Sequence, residues 1–305
     1  MVEFIIKRTL QMILVIFLAV TAVFFLVRLS GDPTALFLPP DAPREQLEEF
    51  RVALGYDRPL HVQYTEFIAG AFQGDFGESL RTREDALSMV LDRAPATFQL
   101  AFTALIISLL ISIPIGIISA YKRNSLFDRT GVGFTVLGQG IPDFWLGLIL
   151  IYVFAASLQV LPSGGGGTPY HLILPALTLA FHSVARFSRF TRSSTLDVLG
   201  KDYIRTAKAS GVPVPRILSR YALKNSLIPI ITLIALDLGA LLGGTVVTET
   251  VFAWPGVGRL LVQSLMMRDF SVVLAGVFFV AVIYSILNFL ADILYAFVNP
   301  QIRYK

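Results

Sequence analysis

No cysteine occurs anywhere in the 305 residues. A disulfide framework and thiolate metal sites are therefore excluded. The three histidines, His61, His171 and His182, lie far apart and show no metal-ligand spacing. No G-x-x-x-x-G-K-[ST] segment is present, so the chain has no loop of the kind that cradles nucleotide phosphates. The glycine run at 164–167 has no following Lys and reads as a flexible external turn. No nucleophile–base constellation stands out, no cofactor or metal is expected on this chain, and nothing points to nucleic acid as a partner.

Charge is scarce too. Only 15% of the residues are charged and 55% are hydrophobic, where a soluble domain carries about 25% charge. Long stretches have almost no charge, which fits lipid as the solvent. Six apolar segments approach the roughly 20 residues that a bilayer crossing needs: 9–27, 97–120, 131–158, 171–184, 227–247 and 272–298. The fourth is short and is followed closely by Arg186 and Arg189. The runs are continuous and do not alternate, which favours helices over barrel strands. The first follows Lys7 and Arg8 and resembles a signal peptide. It is too long for one, and no small-residue cleavage site follows, so it reads as a retained span. Pro114 and Pro142 interrupt apolar helices and fit either packing kinks or a gating hinge.

Lys and Arg set the orientation. The 31–97 segment has six basic residues against twelve acidic ones and belongs outside. The turn with Lys122, Arg123 and Arg129 belongs inside, and the uncharged linker at 159–170 outside. The 186–224 stretch has nine basic residues and two acidic ones, and belongs in the cytoplasm with Arg303 and Lys305 of the tail. Six crossings with both termini cytoplasmic satisfy every loop. The expected fold is an all-α polytopic bundle: a first helix at 1–30, an extracytoplasmic insertion at 31–96, a core at 97–300 and a short tail at 301–305. Helical patches at 44–54 and 61–71 predict a small cap on the outer face.

The cytoplasmic stretch carries the most information. Asp202 can cap a short helix, Gly211 fits the left-handed position that closes it, and Pro213 and Pro215 prevent its continuation. A basic helix then runs into the fifth span. A short helix, a sharp turn and a rising helix can seat in a partner's groove and pass force to the membrane. This segment, with Arg205, Thr206, Ala207 and Gly211 followed by LKNSLIPI, resembles the ATPase-coupling loop of permeases of ATP-binding-cassette (ABC) importers, in the form of the dipeptide/oligopeptide/nickel branch. The strict Glu-Ala-Ala form is not kept, because Arg205 and Thr206 stand at its first two positions. Further fragments agree with this branch: Gly31-Asp32-Pro33, the LGYDRPL…GDFGESL run from Leu54 to Leu80, Gly140-Ile141-Pro142-x-Phe144, and Glu249-x-x-Phe252-x-x-Pro255-Gly256-x-Gly258 followed by Arg268-Asp269.

The resemblance implies a type I importer permease that couples to an ATPase through Tyr203, Arg205, Ala207, Lys208, Gly211, Arg216 and Ile217, within a loop at about 186–226. It implies an inner-membrane location, a second homologous permease, two ATPase subunits that use ATP and Mg²⁺, and an extracytoplasmic binding protein. The implied cargo is di- or oligopeptides, with nickel, glutathione or oligosaccharides as alternatives. An ion-driven secondary transporter predicts inverted repeats, and none is visible. Glu249, Phe252, Trp254, Pro255, Gly256 and Gly258 read as an external re-entrant segment, or as an ordinary hairpin. Gly239 and Gly243 form a GxxxG spacing suited to close helix packing. Asp237 lies in an apolar run, where an ionised carboxylate needs water or a partner. It fits either cargo contact or a structural pair, and Asn288 and Asp292 raise the same question. Asp143 adjoins Pro142 and can serve backbone groups freed there.

Overall fold

The computed structural model describes residues 2–32, 34, 37–39 and 41–298. Pro33 and the tail with Arg303 and Lys305 lie outside the described residues. Among these, regular structure is helical apart from one isolated bridge between Glu78 and Asp85. In chain order the helices are α1 (Val2–Leu29), α2 (Arg44–Ala53), α3 (Leu60–Gln73), α4 (Ala86–Tyr121), α5 (Leu126–Gly140), α6 (Asp143–Leu150), α7 (Tyr170–Leu199), α8 (Asp202–Ala209), α9 (Val214–Arg216), α10 (Leu223–Val251), α11 (Val257–Met266) and α12 (Phe270–Val298). Helix α6 widens into a π-helical stretch at Ile151–Ser157, and a second one, Ile217–Ala222, joins α9 to α10.

Among the described residues, α1, α4 and α12 are each long and apolar enough to cross a bilayer, and the bent α5–α6 pair is apolar enough, taken together, for either a broken span or a re-entrant loop. The expected fourth and fifth crossings fall on α7 and α10, which have 30 and 29 residues. At about 1.5 Å per residue both have the length to cross. Helix α7 extends well beyond the apolar 171–184 run and takes in Arg186, Arg189 and Arg192, so the basic stretch read as a loop begins inside a helix.

The two prolines behave differently. Pro114 leaves α4 continuous over 36 residues. At Pro142 the expected single span is broken, and α5 and α6 meet at 105°. Ile141, restricted by the proline that follows it, is extended (φ −88°, ψ 121°), which ends α5. Pro142 then starts α6 and its carbonyl accepts from Leu146 N at 3.1 Å.

The chain divides into two compact units, and α4 and α12 each contribute to both. The first holds residues 97–255 and 287 onward. Helix α7 is its hub, packed against α5, α6 and α10. Its buried face is mostly small (Ala176, Ala180, Ser183, Ala185, Ser188, Thr191), and its neighbours answer with glycine. A Cβ on Gly116 of α4 would stand 2.5 Å from Thr191 Cβ, and one on Gly138 of α5 would stand 2.8 Å from Ala185 Cβ. Small-residue faces of this kind let helices approach where the hydrophobic effect gives no drive.

The second unit holds residues 2–96 and 256–286. Here α3 lies along α1: Tyr64 Oη bonds Thr21 Oγ1 at 2.8 Å, Phe67 stacks on Phe24 at 5.0 Å, and Ile68 and Phe72 share an apolar cavity of about 350 Å³ with Ile13 and Phe17. The two helical patches expected in the insertion are present, and the second of them flanks the first span instead of capping its end. Two fragments read separately in the sequence, 54–80 and Arg268-Asp269, meet here. Asp269 is 4% exposed and accepts from Ser79 Oγ at 2.5 Å. Arg28 lies 4.1 Å from the centre of the Tyr56 ring, and Asp32 pairs with Arg51 at 3.1 Å. Burial pushes the Tyr56 phenol above its ordinary range, against the opposing pull of Arg28.

Candidate functional site: the coupling element and the charged face of α7

Helix α8 is short and amphipathic. Ile204 (0% exposed) and Ala207 (8%) face inward, and α8 packs on the Ile217–Ala222 stretch, where Ile217 and Ala222 are also buried. Tyr203, Arg205, Lys208, Gly211 and Arg216 are exposed. The seven residues assigned to coupling thus separate into two inward ones, Ala207 and Ile217, and five outward ones. Val214, apolar and 37% exposed, stands beside the outward set. The expected cap at Asp202 is corrected: Lys201 holds the cap position without a side-chain bond, and Asp202 is the first helical residue. A carboxylate there still suits the positive end of the helix.

Gly211 closes α8 as expected. Its φ is +73°, Val212 N donates to Ala207 O at 3.1 Å, and Gly211 N donates to Lys208 O at 3.0 Å. These are the two bonds of a Schellman closure. Nothing lies within 4 Å of where a Cβ on Gly211 would stand, so the position demands glycine for its backbone alone. Gly211→Val should cost about 1–2 kcal/mol of local stability and fray α8 without disturbing the spans. Faster amide exchange at residues 207–212 in the otherwise folded protein checks this.

The charged face of α7 was not legible as a site. His182, Arg186, Arg189 and Arg192 follow one another at steps of four, three and three, which places them along one side of the helix. Each meets a different neighbour. His182 Nε2 donates to the Ile141 carbonyl at 2.9 Å and lies 3.3 Å from Asp143 Oδ1. The carbonyl freed at the α5–α6 break is therefore served by His182, and Asp143 sits beside it. Arg186 Nη1 bonds Asp237 Oδ1 on α10, and Ser183 Oγ donates to Asp237 Oδ2 at 2.5 Å. Arg189 reaches Gln139 at 3.4 Å. Arg192 grips Asp128, at the start of α5, with Nε at 2.5 Å and Nη2 at 2.8 Å. Asp237 is 1% exposed and Asp128 3%. Both carboxylates have the paired surroundings that a buried charge requires.

The segment after α10 is buried, not projecting. Glu249 belongs to the last turn of α10, is 0% exposed and accepts from Thr97 Oγ1 at 2.7 Å. Phe252 and Trp254 are also buried, and Trp254 N donates to Glu249 O at 2.9 Å. Gly256 is extended, and the left-handed residue is Ala253 (φ 50°). The 164–167 run is not a loose linker either: Gly165 N donates to Phe252 O at 2.7 Å, and a Cβ on Gly164 would stand 2.2 Å from that same oxygen. In the GxxxG pair, Gly239 is buried while Gly243 has nothing within 4 Å of a Cβ position; Gly244 is the residue set against α7, where a Cβ would stand 3.3 Å from Leu179 Cδ1. Asn288 and Asp292 are half-buried one turn apart on α12.

Residues 112–304 match the family described as binding-protein-dependent transport system inner membrane component, and residues 1–101 match that family's N-terminal component. The chain belongs to this family of ABC importer permeases. The glutathione transport system permease proteins GsiC of Escherichia coli (strain K12) and Salmonella typhi are each 40% identical to it over 306 residues, covering all of both chains. The inward-facing MetNI methionine ABC transporter has the same fold, with a TM-score of 0.56 at 17% identity over 69% of this chain and 96% of that one. The permease is a multi-pass inner-membrane component of an importer. Sequence reasoning located the short helix with its Gly211 closure and singled out Asp237. It missed Ser183, Arg186, Arg192 and Asp128 as partners; the one available signal was the spacing of basic residues inside an unrecognised helix.

Proposed function

We propose that this permease forms half of a translocation pathway for small peptides, paired with a second homologous permease and driven by two separate ATPase subunits. One ATPase docks on α8 and α9 through Tyr203, Arg205, Lys208 and Arg216, and a binding protein delivers cargo from outside. The observation that carries this reading is the α8 closure. A short helix with an exposed polar face is locked by Gly211 onto the Ile217–Ala222 stretch, which continues without interruption into α10. Force applied to α8 therefore reaches a membrane helix directly. ATP binding closes the ATPase pair, α8 moves with it, and the spans alternate access. Gly243, on the open side of α10, is the pathway-facing position. The cargo class follows from the branch resemblance together with the glutathione relatives, since glutathione is itself a peptide.

The absence of native cysteine makes the test direct. Lys208→Cys in the assembled importer should cross-link to an ATPase subunit and react only with reagents that reach the cytoplasmic side. Labelling from the outside, or no ATPase in the product, refutes the docking and the orientation. Proteoliposome uptake of labelled glutathione and tripeptides, set against nickel and oligosaccharides, reads the cargo.

A further inference from the structure

We propose that Arg186 is a positioning residue which, by holding Asp237, makes α7 and α10 shift with α8 as one body, so that Asp237 serves as an anchor and not as a cargo contact. The inference rests on the coupling reading above and deepens it. Helix α8 is joined at both ends to long helices: two residues separate it from α7, and the turn at Gly211 leads through α9 into α10. A push on α8 can move these two helices together or pry them apart. The only carboxylate within the apolar part of α10 decides between these. Asp237 is 1% exposed, and both of its oxygens are engaged by α7, one by Arg186 and the other by Ser183. Freeing Asp237 for a cargo ammonium would leave a buried carboxylate without a cation whenever no cargo is bound, an expensive state inside a membrane. One turn and a half toward α8, the bidentate Arg192–Asp128 grip ties the same face of α7 to α5. The tie to α10 therefore sits in a helix already fixed on its cytoplasmic side.

The experiment is a double variant, Ser183→Cys with Asp237→Cys, in the complete importer reconstituted with glutathione as probe cargo. The readout is ATP hydrolysed per molecule imported, a ratio that a loss of protein alone does not change. In the reduced state the anchor is missing, and the ratio should rise about tenfold, within the range of ordinary coupling energies. Bridging the two thiols, by oxidation or a short thiol cross-linker, should bring the ratio back near the wild-type value, because a covalent tie replaces the ionic one. A bridged protein that no longer transports means that α7 and α10 must separate during the cycle, and overturns the proposal. An unchanged ratio in the reduced state overturns it as well. As a check on folding, the charge exchange Arg186→Asp with Asp237→Arg should recover coupling; recovery that depends on the net charge of the peptide supplied would instead make Asp237 a cargo contact. If the wild-type importer itself shows no cargo-stimulated ATPase, the coupling reading fails and takes this inference with it, whereas an unchanged ratio in a coupled importer overturns this inference alone.

Discussion

Gly164→Ala should strongly destabilise the folded permease, although it adds a single methyl group to a turn. The new Cβ would stand 2.2 Å from the carbonyl oxygen of Phe252 and 2.8 Å from its carbonyl carbon. Both are backbone atoms, and they cannot swing aside as a side chain can. Phe252 is 1% exposed and held by Phe252 N donating to Thr248 O at 3.0 Å, so its peptide is fixed from the other side as well. Relief requires moving the 164–167 run away and losing the bond from Gly165 N to Phe252 O. Overpacking of this kind costs about 1–3 kcal/mol, and the lost hydrogen bond adds about 1 kcal/mol. That sum is a large part of a domain's stability, which is about 5–15 kcal/mol. Gly133→Ala is the control, because α5 leaves open space around that position. Fluorescence-detected size exclusion and a thermal midpoint in detergent should show Gly164→Ala depleted and early-melting, and Gly133→Ala unchanged or slightly more stable. Equal behaviour of the two would mean that the glycine run is the loose linker its composition suggests.

The same example shows where a sequence stops being informative. A run of four glycines and no neighbouring charge reads as flexibility, because composition reports what a segment can do without its partner. The partner, Phe252, is nearly 90 residues away, and only the fold brings the two together. Hydropathy, by contrast, is a local property of a segment, so α1, α4 and α12 were legible, with ends within two residues except that α1 and α4 begin seven and eleven residues before their apolar runs. Helix α8 and its closure were legible too, since a left-handed terminator and two prolines act within a few residues of themselves. Helix α7 was cut short for a related reason. Arg186, Arg189 and Arg192 lower the hydropathy of its second half and were counted as loop charges that set topology. They can lie in a helix because each has a partner on α5 or α10, and that information is not carried by α7. Asp237 was recognised as a problem from sequence, since a lone carboxylate in an apolar run demands an answer. The answer, a serine and an arginine one turn apart on another helix, required the packing.

Arg192→Ala should destabilise the permease by about 3 kcal/mol, and replacing both members of its pair should restore most of that loss. Asp128 is 3% exposed, and its two oxygens accept Arg192 Nε and Nη2. One of them also accepts Asn124 N at 2.9 Å, holding the turn between α4 and α5. Removing the guanidinium leaves the carboxylate enclosed and uncompensated. Breaking a buried pair from one side costs about 3–5 kcal/mol, and the lower end applies here because the Arg192 side chain keeps 26% exposure. In Asp128→Asn with Arg192→Met, the asparagine oxygen can still accept from Asn124 N, and the methionine fills the arginine stem's place beside α5 without bringing a charge. A buried pair exchanged whole for uncharged groups of similar size is often close to neutral. The detergent thermal midpoints of the wild type, the two single variants and the double variant form a cycle, and the coupling term should account for most of the single-variant loss. Additive losses would mean that Arg192 acts through its stem packing and not its charge, and the fixed point that α7 presents to α5 would then be apolar.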